Sequence, residues 1–114
     1  MAAKNLSRFQ PTLVLTTTNS LKEARRLARL LLDRKVAGCV NILPRIDSLY
    51  WWQGKIDYGK EVLLLIKSSR RHLPILSRLL KSHHSYEVPE LIALSLSWGE
   101  PSYLNWLKQA MERN

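Results

Sequence analysis

Hydrophobic positions change period several times along the chain, and each change predicts an element. "PTLVLTTT" (Pro11–Thr18) is a β-branched and aliphatic run and reads as a strand, central in its sheet. After it Leu21, Ala24, Leu27, Ala28, Leu31 and Leu32 recur at three and four, the spacing of a helix with one apolar stripe. Ser20 followed by Glu23 is a capping-box signature for its start, and Gly38 is the expected stop. From Cys39 to Ser68 the pattern is extended. "DYG" (Asp57–Gly59) reads as a hairpin turn between unequal arms, and Pro44 implies a bend or a sheet edge. Leu73, Leu76, Leu79 and Leu80 return to helical spacing, with Pro74 in the first turn and the end near His83. "ELIALSLS" (Glu90–Ser97) is the last strand. A closing helix starts near Pro101 and is expected to turn Tyr103, Trp106, Leu107 and Ala110 inward.

The order β-α-β-β-α-β plus a terminal helix predicts an α+β, ferredoxin-like sandwich: a four-stranded antiparallel sheet with two helices on one face. Residues 1–10 are expected to be flexible and 11–114 to form one domain, which the length of 114 residues allows. In "IDSLYWWQGK", Ile46, Ser48, Tyr50 and Trp52 point one way and Asp47, Leu49, Trp51 and Gln53 the other. Both faces carry large apolar groups, which a small monomer has little room to bury. A tight homo-oligomer is the reading this favours; burial of both faces within one chain is the alternative.

Composition narrows the class. Hydrophobic residues are 46% and charged residues 24%, a globular balance. No apolar run at the N-terminus resembles a signal peptide, and Val62–Ile66 is too short for a membrane span. Cys39 is the single cysteine, so no internal disulfide forms and a reducing, cytoplasmic location is expected. The net charge of +9 requires a spatial test. Lys22, Arg25, Arg26, Arg29 and Arg34 lie mostly opposite the first apolar stripe, and Arg70, Arg71, Arg78 and Lys81 lie on or near the second helix. Solvated basic helix faces are common. Nucleic-acid binding is the rival reading from a different class and is not expected, because the strand "GKEVLLLIKS" lacks the aromatics that a recognition motif stacks on bases. No P-loop, HExxH or nucleophile motif is present, so enzymatic activity is not expected.

The segments "AGCVNILPRIDSLYWWQGKID", "EVLLLIKSS", "LKSHHSYEVPELIALSLSWG" and "YLNWL" resemble, in order and spacing, the CutA family of divalent-cation tolerance proteins. The likeness runs from about Leu13 to Leu107. It implies a homotrimer related in architecture to the PII signalling proteins, with clefts between subunits. It also implies tolerance of copper and other divalent ions. Carried onto this chain, the motif positions are Cys39, Trp52, Glu61, Lys67, His83, Tyr86 and Glu90, expected around the cleft. Some bacterial members have a first-strand cysteine proposed to ligate copper; the matching position here is Thr16.

The candidate chemistry is thus of two kinds. His83, His84 and Cys39 are the candidate metal contacts, for weakly held Cu(II) or another divalent cation, since imidazole and thiolate suit such ions. The bland readings are a helix C-terminus for the histidines and a small buried residue for Cys39. Trp52, Glu61, Lys67, Tyr86 and Glu90 are the candidate ligand cleft, in which Lys67 would anchor an anionic small molecule; that makes a PII-like binding module the alternative function. Glu87 reads as a surface acid. No organic cofactor and no membrane partner are expected.

Overall fold

A computed structural model describes residues 8–112, so most of the segment expected to be flexible lies outside the described residues. Four strands form one antiparallel sheet in the order β2-β3-β1-β4: β1 (Pro11–Thr18), β2 (Cys39–Trp52), β3 (Lys55–Ser69) and β4 (Ile92–Ser95). Three α-helices join them among the described residues: α1 (Leu21–Asp33), α2 (Leu73–His83) and α3 (Pro101–Ala110). The predicted β-α-β-β-α-β order with a terminal helix is the one observed. The core forms where α1 and α2 meet one face of the sheet. Ala24, Leu27, Leu31, Leu76 and Leu80 pack on Val14, Val62, Leu64 and Ile66. Residues of opposite parity, such as Leu13, Leu15, Leu63 and Leu65, turn to the open face.

α1 begins as its sequence requires, with the Ser20 side chain accepting from the Glu23 N–H at 3.1 Å. Its stop differs from the expected one. Lys35 takes the left-handed conformation (φ 61°), its N–H bonds to Leu32, and the Val36 N–H bonds to Leu31. This is a Schellman motif completed by burial of both Leu31 and Val36. Gly38 instead makes room: a Cβ there would lie 2.6 Å from Leu107 Cδ1.

The hairpin also differs. The turn is Gln53-Gly54, both with positive φ (49° and 78°), as a two-residue type I′ loop requires. Gly59 pairs with Ser48 inside the ladder. The arms are therefore nearly equal, 14 and 15 residues, and no overlong arm exists. The register shift between Leu43 and Ile46 is the bend that Pro44 announces, on the edge strand β2. The hairpin reaches beyond the helices and gives the molecule a long axis of 53 Å against 27 and 22 Å.

β4 is shorter than expected and pairs only with Thr12–Leu15. α3 buries Leu107, and Met111 beyond its end is buried too, while Tyr103 and Trp106 stay exposed, contrary to the inward orientation expected for them. The helix rests on Gly38 through Leu107 and Met111, a narrow contact that leaves its aromatic side uncovered.

Candidate functional site: the loop after α2 and the cleft residues

The segment "HHSYE" leaves the end of α2 and is held by side chains from three elements. His84 has a fully buried ring. Its Nε2–H donates to the Thr17 carbonyl at 2.7 Å, and its Nδ1 accepts the Tyr86 N–H at 3.0 Å. One nitrogen donating and the other accepting describe a neutral imidazole with the proton on Nε2. Beside it, Glu23 of α1 is 7% exposed. Its carboxylate accepts the Ser85 N–H at 2.7 Å and the Ser85 hydroxyl at 2.9 Å. The capping box is thus half closed: Ser20 caps the helix, but Glu23 is drawn away to clamp the loop.

Tyr86 continues the network. Its hydroxyl donates to Glu61 Oε2 of β3 at 2.8 Å, and its ring lies 4.8 Å from that of His84. Burial first, and then the hydrogen bond and charge of Glu61, push the Tyr86 phenol well above its ordinary value. A cavity of about 270 Å³ opens next to Glu61, between Ser20 at the start of α1 and the Pro44–Arg45 bulge.

His83 behaves differently from its neighbour. It is exposed, and its Nδ1–H donates to the Leu79 carbonyl at 2.9 Å. That bond fixes the tautomer whose Nε2 lone pair faces outward, the arrangement by which backbone carbonyls commonly orient metal-binding histidines. The structure therefore divides the pair into one structural imidazole and one with a coordinating nitrogen to offer.

Cys39 is not near them. It pairs with Lys67 on the open sheet face, whereas His84 meets Thr17, whose partner on β3 is Leu63. Four residues of strand, about 13 Å, and the thickness of the sheet separate thiol and imidazole. Among the described residues no three His, Cys, Asp or Glu side chains converge on a metal-sized site. One chain thus offers, among the described residues, an isolated ligand and not a complete shell. Thr16, the position that the resemblance matches to a cysteine of some bacterial members, is fully buried on the helix-covered face.

Within the candidate cleft, one chain brings together Glu61 and Tyr86 only. Lys67 lies six residues along β3 from Glu61, about 20 Å, and its ammonium sits 5.3 Å from the Tyr103 ring centre. Trp52 pairs with Lys55 at the hairpin tip, a similar distance in the other direction, and is exposed. Glu90 is exposed ahead of β4. Sequence reasoning missed Glu23, Ser85 and Thr17. A glutamate in a capping box looks satisfied within its own helix, so nothing local pointed to a contact 62 residues away.

These features define a mixed α/β protein with a four-stranded antiparallel sheet, an uncovered sheet face and a clamped His-His-Ser-Tyr loop. A family model described as the CutA1 divalent ion tolerance protein matches residues 12–110, and the chain belongs to that family. It is 41% identical over 96 residues to the divalent-cation tolerance protein CutA of Thermus thermophilus, covering 84% of this chain and 93% of that one. It is 45% identical over 101 residues to the chloroplastic Protein CutA 1 of Oryza sativa subsp. japonica, covering 88% of this chain and 57% of the relative. The chain spans little more than half the length of several plant and animal relatives. The crystal structure of CutA1 from Oryza sativa superposes with a TM-score of 0.88 at 39% identity, over 92% of this chain and 96% of that one. No helix among the described residues is long and apolar enough to cross a membrane.

Proposed function

We propose that this protein contributes to tolerance of divalent cations as a cytoplasmic homotrimer that holds copper or a related ion weakly, with His83 as the metal contact and His84 as an internal clamp of the loop. The carrying observation is the division of the pair: His83 offers Nε2 to the outside, while both nitrogens of His84 are engaged internally. Family membership supports the cation role. A site with one imidazole per chain accounts for weak binding, because a complete tetrahedral site needs four donors. Binding, not catalysis, is the proposed role.

Self-association is supported by the apolar surface that one chain leaves bare. Leu43, Ile92 and Leu94 are exposed on the open sheet face; Leu49, Trp51, Ile56 and Tyr58 are exposed on the hairpin, Trp51 at 74%. These exposures favour that reading over burial of both hairpin faces within one chain. Such contiguous apolar area on a small domain marks an interface, and the trimer is the assembly the family resemblance implies.

The test is a calorimetric Cu(II) titration with glycine as competing chelator. Saturable binding is expected in the parent and in His84→Ala, with His84→Ala melting earlier because Thr17 and Tyr86 lose partners. His83→Ala is expected to lose binding at unchanged stability. Binding that survives His83→Ala would remove the metal assignment and direct attention to the cavity beside Glu61 as a small-molecule site.

A further inference from the structure

The charge of this chain is segregated in space. Residues 21–35 hold six basic and two acidic side chains, and residues 70–83 hold four basic and none acidic, so the two helical stretches carry +8 of the net +9. Of those two acids, Glu23 is buried with its carboxylate 3.6 Å from Arg26, and Asp33 pairs with Arg29. On α1, Lys22, Arg25, Arg26 and Arg29 recur at i, i+3, i+4 and i+7, and all are exposed. On the neighbouring turn and α2, Arg71, Arg78 and Lys81 continue a second exposed stripe. The two helices touch where Arg26 donates to the His83 carbonyl, so the stripes lie side by side on one layer.

We infer that this outward helical layer is a docking surface for the phosphate backbone of duplex nucleic acid, read without regard to sequence. Seven of the ten cations are arginines, whose planar fork suits phosphate oxygens. A duplex carries one charge per about 1.7 Å of axis with both strands counted, so the ~20 Å length of α1 runs past about a dozen phosphates, and the near-side ones lie within reach. The only large apolar side chains exposed on these two helices are Leu32 and Ile75. Neither helix carries a Phe, Tyr or Trp, the large rings on which single-strand binders chiefly stack bases. With the apolar stripes of both helices spent on the core, the layer has nothing to insert into a bilayer. The surface lies on the opposite side of the sheet from the bare apolar face, so assembly through that face leaves it accessible.

The test is fluorescence anisotropy of a labelled 24-base-pair duplex against the full chain from 50 to 200 mM salt. The expected slope of log K against log salt is about −4 to −5, five engaged phosphates at about −0.9 each. Arg25→Gln/Arg78→Gln is expected to weaken binding about tenfold and to flatten the slope by about 2. Lys55→Gln/Lys60→Gln, which removes equal charge from the hairpin, is expected to change affinity little. Circular dichroism checks that both variants fold. No binding at 50 mM salt, or equal losses in the two variants, would overturn the inference. Stronger binding to phosphatidylserine vesicles than to the duplex would overturn it too, in favour of a membrane surface.

Discussion

Thr16 stands in the middle of β1 with its side chain in the helix-covered layer, and its Oγ1 is buried without a hydrogen-bond partner among the described residues. A buried hydroxyl left unpaired costs roughly 1–3 kcal/mol, so Thr16→Val should stabilise the protein by about 1 kcal/mol in urea denaturation. A loss of stability instead would show that the hydroxyl has a bound partner. Tyr86 gives a second test at this scale. Its phenol is raised chiefly by burial and then by Glu61, so the folded state holds its proton more tightly than the unfolded state. The linked stability is therefore fully present below the unfolded value of about 10 and declines as pH rises above it. In an absorbance titration at 295 nm, one tyrosine should ionise well after the exposed ones, and Tyr86→Phe should abolish that late step. The family resemblance places Tyr86 and Glu61 in one cleft, but their direct 2.8 Å hydrogen bond is visible only in the fold.

At the scale of elements, strands and helices were legible wherever burial has a period, and their ends were legible less often. β1 lies where its β-branched run places it, and α2 ends at His83 as expected. The hairpin turn was misplaced because two glycines compete for it. "DYG" carries a turn-forming composition, yet the amphipathic run from Lys55 continues straight through Gly59 as strand. Gly38 was read as a helix stop when its importance is tertiary, and sequence spacing holds no record of Leu107 lying against it. Gly38→Ala places a Cβ 2.6 Å from Leu107 Cδ1 and 3.2 Å from its backbone oxygen. Overpacking of this kind costs about 1–3 kcal/mol. The expected outcome is a loss of that size in denaturation, with faster amide exchange confined to α3. Uniformly faster exchange would mean that α3 is not a separable unit.

At the scale of the molecule, the two faces of the sheet have different fates. One is closed by α1 and α2 into the core, and the other, with the projecting hairpin, keeps leucine, isoleucine and tryptophan exposed. The aromatic segment made this visible in advance, since side chains of both parities were apolar. The candidate site was less legible. Of the residues that the family resemblance places around one cleft, a single chain joins only Glu61 and Tyr86 and leaves Trp52, Lys67 and Glu90 apart, and the histidine pair divides its duties. Both facts give the proposed function a common condition, that copies of the chain complete what one copy lacks. Native mass spectrometry with limiting Cu(II) tests that condition most directly. The expected result is a species of three 13.2 kDa chains that takes up copper, and loses it when mild activation releases monomers. A monomer that binds copper equally well, or a trimer that takes none, would contradict the account.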